Sequence, residues 1–242
     1  MSTFKQLVFV AFVAIFPVLV ALNLLFPSGY PAFLPEKPSQ PVLIIDAGHG
    51  GEDGGAISLS GVPESQLNLA IAQRVDLVMG LYGAPSVMLR QTDISLHSPQ
   101  SRTLREKKVS DLHNRVKLVS QQPNGVLLSI HQNSFPSGKY SGAQVFYAPT
   151  HGSRQLAEAM QGALRVAADP LNTRQVAAIA KSVYLMNHID CPAILVECGF
   201  LTNPAEERQL QDSGYQSKLA AAMAGCWLNY RETFYSNTEM RE

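Results

Sequence analysis

The chain has 242 residues, 46% of them apolar and 16% charged, with nineteen lysines and arginines against nineteen aspartates and glutamates. That size and apolar content allow one core of moderate size, while the neutral balance offers no basic field for nucleic acid and no acidic tail. DNA and RNA are therefore not expected as partners. Three cysteines, Cys191, Cys198 and Cys226, lack C-x-x-C spacing, which argues against a structural zinc cluster or a disulfide framework.

From the front, residues 1–6 form a short polar start, and Leu7 to Phe26 carry no charge, interrupted only by Pro17 and Asn23. About twenty apolar residues are what a helix needs to cross a bilayer, so residues 7–26 read as a membrane segment. Lys5 precedes it and no basic residue follows until Lys37, a bias that places residues 1–6 in the cytoplasm and the rest outside. A cleaved signal peptide would have a shorter apolar region and an A-x-A-like site, which FPSGYPAF does not offer, so the segment reads as an uncleaved anchor. If it is cleaved, the protein is secreted. Residues 27–40, punctuated by Pro27, Pro31, Pro35 and Pro38, read as a stiff, extended linker. The folded domain is expected at 41–231, and 232–242 as a polar tail.

The domain opens with Val42 to Ile45, four apolar residues that read as a strand buried on both faces. Asp46 and His49 follow where that strand runs out, among glycines that permit tight turns. By itself GHGG is compatible with a bare turn or an anion nest, and no Gly-Lys-Ser/Thr follows to make a phosphate loop. Pro63 and Glu64 introduce a helix with Leu67, Ile71, Val75 and Val78 on one face, ended by Gly80 and Gly83. Ser86 to Arg90 can form a second strand. The polar run from Ile94 to Ser110 is expected to be a surface loop, and its basic stretch a solvated face. A helix with Leu112, Val116 and Val119 follows, closed by Pro123, Asn124 and Gly125.

Val126 to Ile130 is another buried strand, with His131, Gln132, Asn133 and Ser134 at its far end. Gln144 to Tyr147 is a fourth, and helical spacing returns at Leu156, Met160, Ala163, Leu164 and Ala167. Ala193 to Val196 is a fifth strand, ending in Glu197. The last helix shows Leu219, Met223, Cys226, Trp227 and Tyr230 on one face. Strands alternating with helices predict an α/β fold, a mostly parallel twisted sheet of five to six strands flanked by helices, in a single domain.

Three strands thus finish in His49, His131 and Glu197, and a parallel sheet brings their carboxyl ends to one edge, where ligand sites of open α/β sheets lie. Two imidazoles and one carboxylate are a recurrent ligand set for catalytic zinc. Glu52, Asp53, Glu64 and Glu197 compete for the carboxylate position, and spacing does not choose between them. Glu64 is equally an acid in a first helical turn, where the macrodipole favours it. His97, His113, His151 and His188 do not end buried strands and are not expected to bind metal. The cysteines sit in apolar stretches as small buried hydrophobes, with one disulfide open to a domain outside the cytoplasm.

GHGG-x-D-x-G followed by Glu64, then SIHQN, then VECGFLTNPAEE, in that order, resembles the zinc-dependent N-acetylmuramoyl-L-alanine amidases of bacterial cell-wall metabolism, over about Pro41 to Tyr230. The resemblance implies one zinc ion per chain held by His49, Glu64 and His131, with Glu197 as catalytic residue and peptidoglycan as substrate. Arg90, Asp93, Leu112, Arg115, Asn133 and Asn203 occupy family-like positions; most are expected to be structural, with Asn133 carried as a substrate contact. Ala47 stands where many members have proline and Leu89 where threonine is common, neither touching the metal set. The insertion around His97 to Lys108, the AGHGG variant and the front anchor are most similar to the germination-specific branch of spore formers. That branch removes stem peptides from muramic acid before muramic δ-lactam forms in spore cortex. A protein that activates the enzyme or loads its metal is a candidate partner, besides the membrane and the wall. The expected location is the membrane, with the catalytic domain in the envelope or the forespore intermembrane space. Rival readings are a zinc peptidase cutting within the stem peptide, disfavoured because H-E-x-x-H is absent, and a non-catalytic wall-binding protein, which would have lost a ligand or the base.

Overall fold

The structure, a computed structural model, describes residues 40–239. The expected cytoplasmic start, membrane segment and most of the linker lie outside the described residues, among which no helix is long and apolar enough to cross a membrane.

Six strands form one sheet: β1 (Val42–Ala47), β2 (Ser86–Met88), β3 (Gly125–Asn133), β4 (Gln144–Tyr147), β5 (Ala177–Ala178) and β6 (Ala193–Phe200), in the spatial order β2-β1-β3-β6-β4-β5. All pairings are parallel except β4 with β6. The helices are α1 (Glu64–Leu81), α2 (Leu104–Ser120), α3 (Ser153–Ala168), α4 (Tyr184–Asn187), α5 (Pro204–Gln211) and α6 (Ser213–Glu239). The last of these continues through residues 232–239 of the stretch read as a polar tail.

The apolar runs become central strands because both faces of the sheet are covered. Leu43, Ile45, Leu128, Ile194 and Val196 pack towards α1, α3 and α6, whose Ile71, Met160 and Trp227 complete the larger core cluster. Ile44, Leu127 and Leu195 face the other way, against Val119 of α2 and Leu185 and Met186 of α4. On α1 Met79 is buried, whereas Val78, read as part of the buried face, is only half-buried.

The polar run before Leu112 is not all loop, since α2 begins at Leu104. The Thr103 hydroxyl accepts from the Glu106 amide (3.2 Å) and Glu106 Oε2 accepts from the Thr103 amide (3.1 Å), a reciprocal capping box. These bonds satisfy donors that the first turn leaves orphaned. The basic residues Arg105, Lys107 and Lys108 therefore ride on a helix instead of a loop. The short β5, α4 and α5 have no counterpart in the sequence reading.

Beneath the carboxyl edge lies a buried ion pair. Arg115, 2% exposed, pairs with Asp46, 1% exposed, and with Asp111 at 2.6 Å, while the Ser129 hydroxyl donates to Asp46 at 2.7 Å. Burial alone would raise the Asp46 carboxyl; Arg115 and Ser129 outweigh it and hold the group below its ordinary 3.8. A depressed folded value adds stability that is complete above the unfolded pKa and is lost as pH falls through the folded one. Breaking one partner of such a pair costs about 3–5 kcal/mol. We therefore expect Arg115→Met to lose stability of that order at neutral pH. Asp46→Asn should also destabilise and should flatten the loss of stability below about pH 4. Denaturant titrations from pH 3 to 7 check both; wild-type stability and an unchanged acid slope would contradict the account.

Candidate metal centre

The turn after β1 is shaped by what its backbone must approach. A Cβ on Gly48 would lie 2.2 Å from the His131 ring, so only glycine fits beneath that imidazole. His49 takes a left-handed φ of 61°, uncommon for a residue with a side chain. Two guanidinium groups hold the turn in this shape. Arg90 donates to the carbonyls of Ala47 (2.8 Å), Gly48 (3.1 Å) and Ser65 (2.8 Å), and Arg115 donates to those of Ala47 (3.1 Å) and His49 (2.7 Å). The two arginines thus hold the turn that carries His49, and Asp93 adds a bond from the Gly51 amide at 2.9 Å.

Glu64 opens α1 and is 3% exposed. Its carboxylate accepts from the Ala56 amide (3.0 Å), the Gln132 amide (3.1 Å) and Asn68 Nδ2 (3.2 Å). His131 Nδ1 lies 2.9 Å from Oε1, and His49 Nε2 lies 3.4 Å from Oε2. One donor atom from each of His49, Glu64 and His131 lies within 4.8 Å of the others, and no other such group occurs among the described residues. Two nitrogens and one oxygen at that spacing fit a divalent ion of the zinc type. Asp53 Oδ2, 3.1 Å from His49 Nδ1, fixes the ring so that Nε2 faces the centre.

The electrostatics agree with a cation site. Burial would lower His49 and raise Glu64, but Asp53 and Glu64 push the imidazole up to about 9, and the two histidines hold the Glu64 carboxyl far below the usual range. Protein alone thus keeps a positive charge here, which an incoming metal ion displaces.

Glu197 is the register partner of His131 across β3 and β6. It shares a cavity of about 310 Å³ with His49 and His131. Its Oε2 is shielded from solvent and has no hydrogen-bond partner among the described residues. Burial first, then the Glu64 charge, push its carboxyl up to about 7 against the pull of the histidines. An orphaned carboxylate oxygen beside the three donors is where a polar group on an ion in their midst would find a partner.

The other candidates fall elsewhere. Glu52 pairs with Lys107 at 2.6 Å, and Asp53 supports His49. Asn133 lies past a register shift in β3, its carbonyl accepting from the Leu201 amide, and does not line the cavity. Asn203 caps α5, and Leu112 lines the cavity wall. Cys198 is buried, its thiol held well above the ordinary value by burial, so it is a packing group; all three cysteines are free. His113 and His188 flank Tyr184, and His97 bonds Ser95. Asn68, absent from the sequence reading, ties Glu64 to the Gly48 carbonyl at 3.1 Å. Its signal is a polar residue four positions beyond Glu64 on an otherwise apolar helix face.

Residues 43–226 match the family described as N-acetylmuramoyl-L-alanine amidase. The germination-specific N-acetylmuramoyl-L-alanine amidase of Bacillus subtilis is 35% identical over 190 residues, 78% of this chain and 79% of that protein. The CwlD amidase of Clostridioides difficile, solved in complex with the GerS lipoprotein, superimposes with a TM-score of 0.76 at 34% identity over 80% of this chain and 99% of that one. An N-acetylmuramoyl-L-alanine amidase from Clostridium difficile 630 gives 0.69 at 28% identity, over 80% and 97%.

Substituting His49, Glu64 or His131 by alanine should abolish stoichiometric zinc binding, and Asp53→Ala should weaken it about 10–100-fold. Gly48→Ala should weaken it too, by displacing the His131 ring. Competition with a chromogenic chelator reads all five. Full zinc occupancy in Glu64→Ala would move the carboxylate ligand to Asp53 or Glu52.

Proposed function

The chain belongs to the N-acetylmuramoyl-L-alanine amidase family and is an amide hydrolase of peptidoglycan; from that premise we propose that it acts with one zinc ion on spore-cortex peptidoglycan. The bond cut joins the lactyl group of N-acetylmuramic acid to L-alanine of the stem peptide. The observation that carries the zinc reading is the convergence of His49, Glu64 and His131 beside the unpartnered, shielded Oε2 of Glu197. When bound, such an ion acidifies a water and polarises the amide carbonyl.

The remaining chemistry falls to this chain's own side chains. Glu197 takes the proton from the attacking water and returns it to the departing amine, a group too basic to leave unprotonated. Burial raises this carboxyl, to about 7 without a metal ion, the direction that suits a group which accepts and returns a proton. Glu64, held ionised, cannot substitute for it and serves as ligand. Asp53 keeps the His49 tautomer, and the arginine-held turn keeps the imidazole in place.

The cortex role rests on the likeness to the germination-specific enzyme of Bacillus subtilis. By analogy with the complex that the Clostridioides difficile amidase forms with a lipoprotein, a membrane-held protein that activates the enzyme or loads its metal is the partner proposed. Residues 7–26 are proposed as the anchor, which leaves the domain outside the cytoplasm on a linker reaching at most ~40 Å. Recovery of the full chain in the soluble fraction of the host cell would contradict that anchor.

Glu197→Gln should bind zinc like the wild type and lose at least about 10²–10⁴-fold in turnover, whereas Cys198→Ala should keep substantial activity. Mass analysis of digested wall should give peptide-free muramic acid and intact stem peptides. The amidase chemistry is falsified if the cuts fall within the peptide. Normal turnover by Glu197→Gln would remove this residue from the mechanism.

A further inference from the structure

The face of the sheet that carries the metal centre does not end at Glu197. Register partners share a face of a sheet, and Gln144 of β4 stands opposite Glu197, which in turn stands opposite His131. One step further towards the edge, Phe200 pairs with Asn133. The guanidinium of Arg174 ties these positions together, because it lies 4.6 Å from the Phe200 ring centre and donates to Gln144 Oε1 at 3.0 Å. Phe200 is three residues beyond Glu197, about 10 Å of strand.

From Phe200 an aromatic surface continues outwards. The Tyr140 ring is 6.1 Å from that of Phe200, and the Phe135 ring meets Tyr140 edge-on at 4.8 Å. Phe200 is buried, but Tyr140 and Phe135 are 37% and 47% exposed. Both belong to the connection between β3 and β4, and its backbone is pinned. The Phe135 amide donates to Thr202 Oγ1 (3.3 Å), Asn203 Nδ2 to the Tyr140 carbonyl (3.0 Å) and Arg174 Nε to the Ser141 carbonyl (2.7 Å). A Cβ on Gly138 would lie 2.7 Å from the Thr202 carbonyl oxygen, so the connection is pressed against the turn after β6. Exposed rings on a backbone fixed in this way are preorganised for a partner surface.

The chemistry around the rings narrows the partner. Arg174 is engaged by Ser141, Gln144 and Phe200, and the Glu206 carboxylate is turned inwards onto the Gly142 (2.8 Å) and Phe200 (2.9 Å) amides. Ring surface is left as the main offering, and the negative face of an aromatic ring attracts the polarised C–H bonds that line the face of a sugar. A glycan strand continues past the muramyl residue whose stem peptide is cut. It therefore needs open surface leading away from the centre, which an enclosed cavity does not give.

We propose that Phe135 and Tyr140 form a stacking platform for the glycan strand of peptidoglycan, taking a sugar beyond the muramyl residue at the metal centre. The inference rests on the amidase reading and adds a binding site away from the reacting amide, through which the enzyme favours long strands over single muramyl units.

The test is calorimetric binding to the zinc-loaded full chain, which needs no turnover. The probes are a peptide-free muramyl disaccharide, the corresponding tetrasaccharide and a free stem peptide. Wild type should bind the tetrasaccharide about ten-fold more tightly than the disaccharide, and Tyr140→Ala and Phe135→Ala should each reduce that gain about three- to ten-fold, the range of a ring contact. The disaccharide, the peptide and zinc should bind both variants as they bind the wild type. Tyr140→Phe should keep the gain, as a platform made of ring faces requires. Lys139→Gln should keep it too, although the Lys139 ammonium lies 5.4 Å from the Tyr140 ring centre. Equal binding of the two sugars by the wild type would overturn the proposal, as would alanine variants that retain the full gain. A loss that falls on the peptide would make the rings a peptide-docking surface, and loss of the gain in Lys139→Gln would make this an anion site; either result overturns the platform. Failure of the amidase reading would appear separately, as wall digests without peptide-free muramic acid.

Discussion

A carboxylate as deeply placed as Glu64 costs several kcal/mol to bury unless cations and hydrogen-bond donors surround it, and much of the fold around the site supplies them. The backbone amides of Ala56 and Gln132 point at it, Asn68 reaches it from one turn along α1, and both imidazoles face it. For the imidazoles to arrive, β3 must lie next to β1, and the turn after β1 must bring His49 back over the start of α1. Gly48 and Gly55 have no room for a side chain because the His131 ring and the Glu64 carboxylate occupy it. Arg90 and Arg115 then hold the carbonyls of that turn. The ion pair at the sheet edge and the metal centre are thus one piece of construction.

The same cavity keeps two carboxylates in opposite states. Glu64 is surrounded by donors and held ionised; Glu197, on β6, has an oxygen without a hydrogen-bond partner among the described residues and is pushed up towards neutrality by burial. Environments that separate the protonation of two acids divide their tasks, one to hold a cation and one to carry a proton. Position in the sheet produces this division, since Glu64 sits at a helix start amid amides, whereas Glu197 sits on β6 beside His131.

Much of this was legible in the sequence because uninterrupted apolar runs announce central strands, and His49, His131 and Glu197 each follow such a run. The choice of Glu64 over Glu52 and Asp53 was not legible from spacing; it came from family resemblance, and the physical discriminator is burial, which periodicity does not report. The start of α2 was missed because its first turns are almost all polar, so the only marker was the Thr103 to Glu106 capping box. The helix α4 was missed because four residues are too few to show a period. The basic stretch, read as a solvated face, is one: Arg105 and Lys108 are exposed, although on a helix instead of a loop.

The central claim is that the ion is held by His49, Glu64 and His131, with Glu197 beside it and unligated. Anomalous diffraction at the zinc edge from crystals of the zinc-loaded protein addresses it directly. The account predicts one ion per chain with two nitrogen ligands and one carboxylate oxygen, each at about 2.0–2.2 Å, and Glu197 outside bonding distance. An ion bound through Glu197 or Asp53 in place of Glu64 would contradict it.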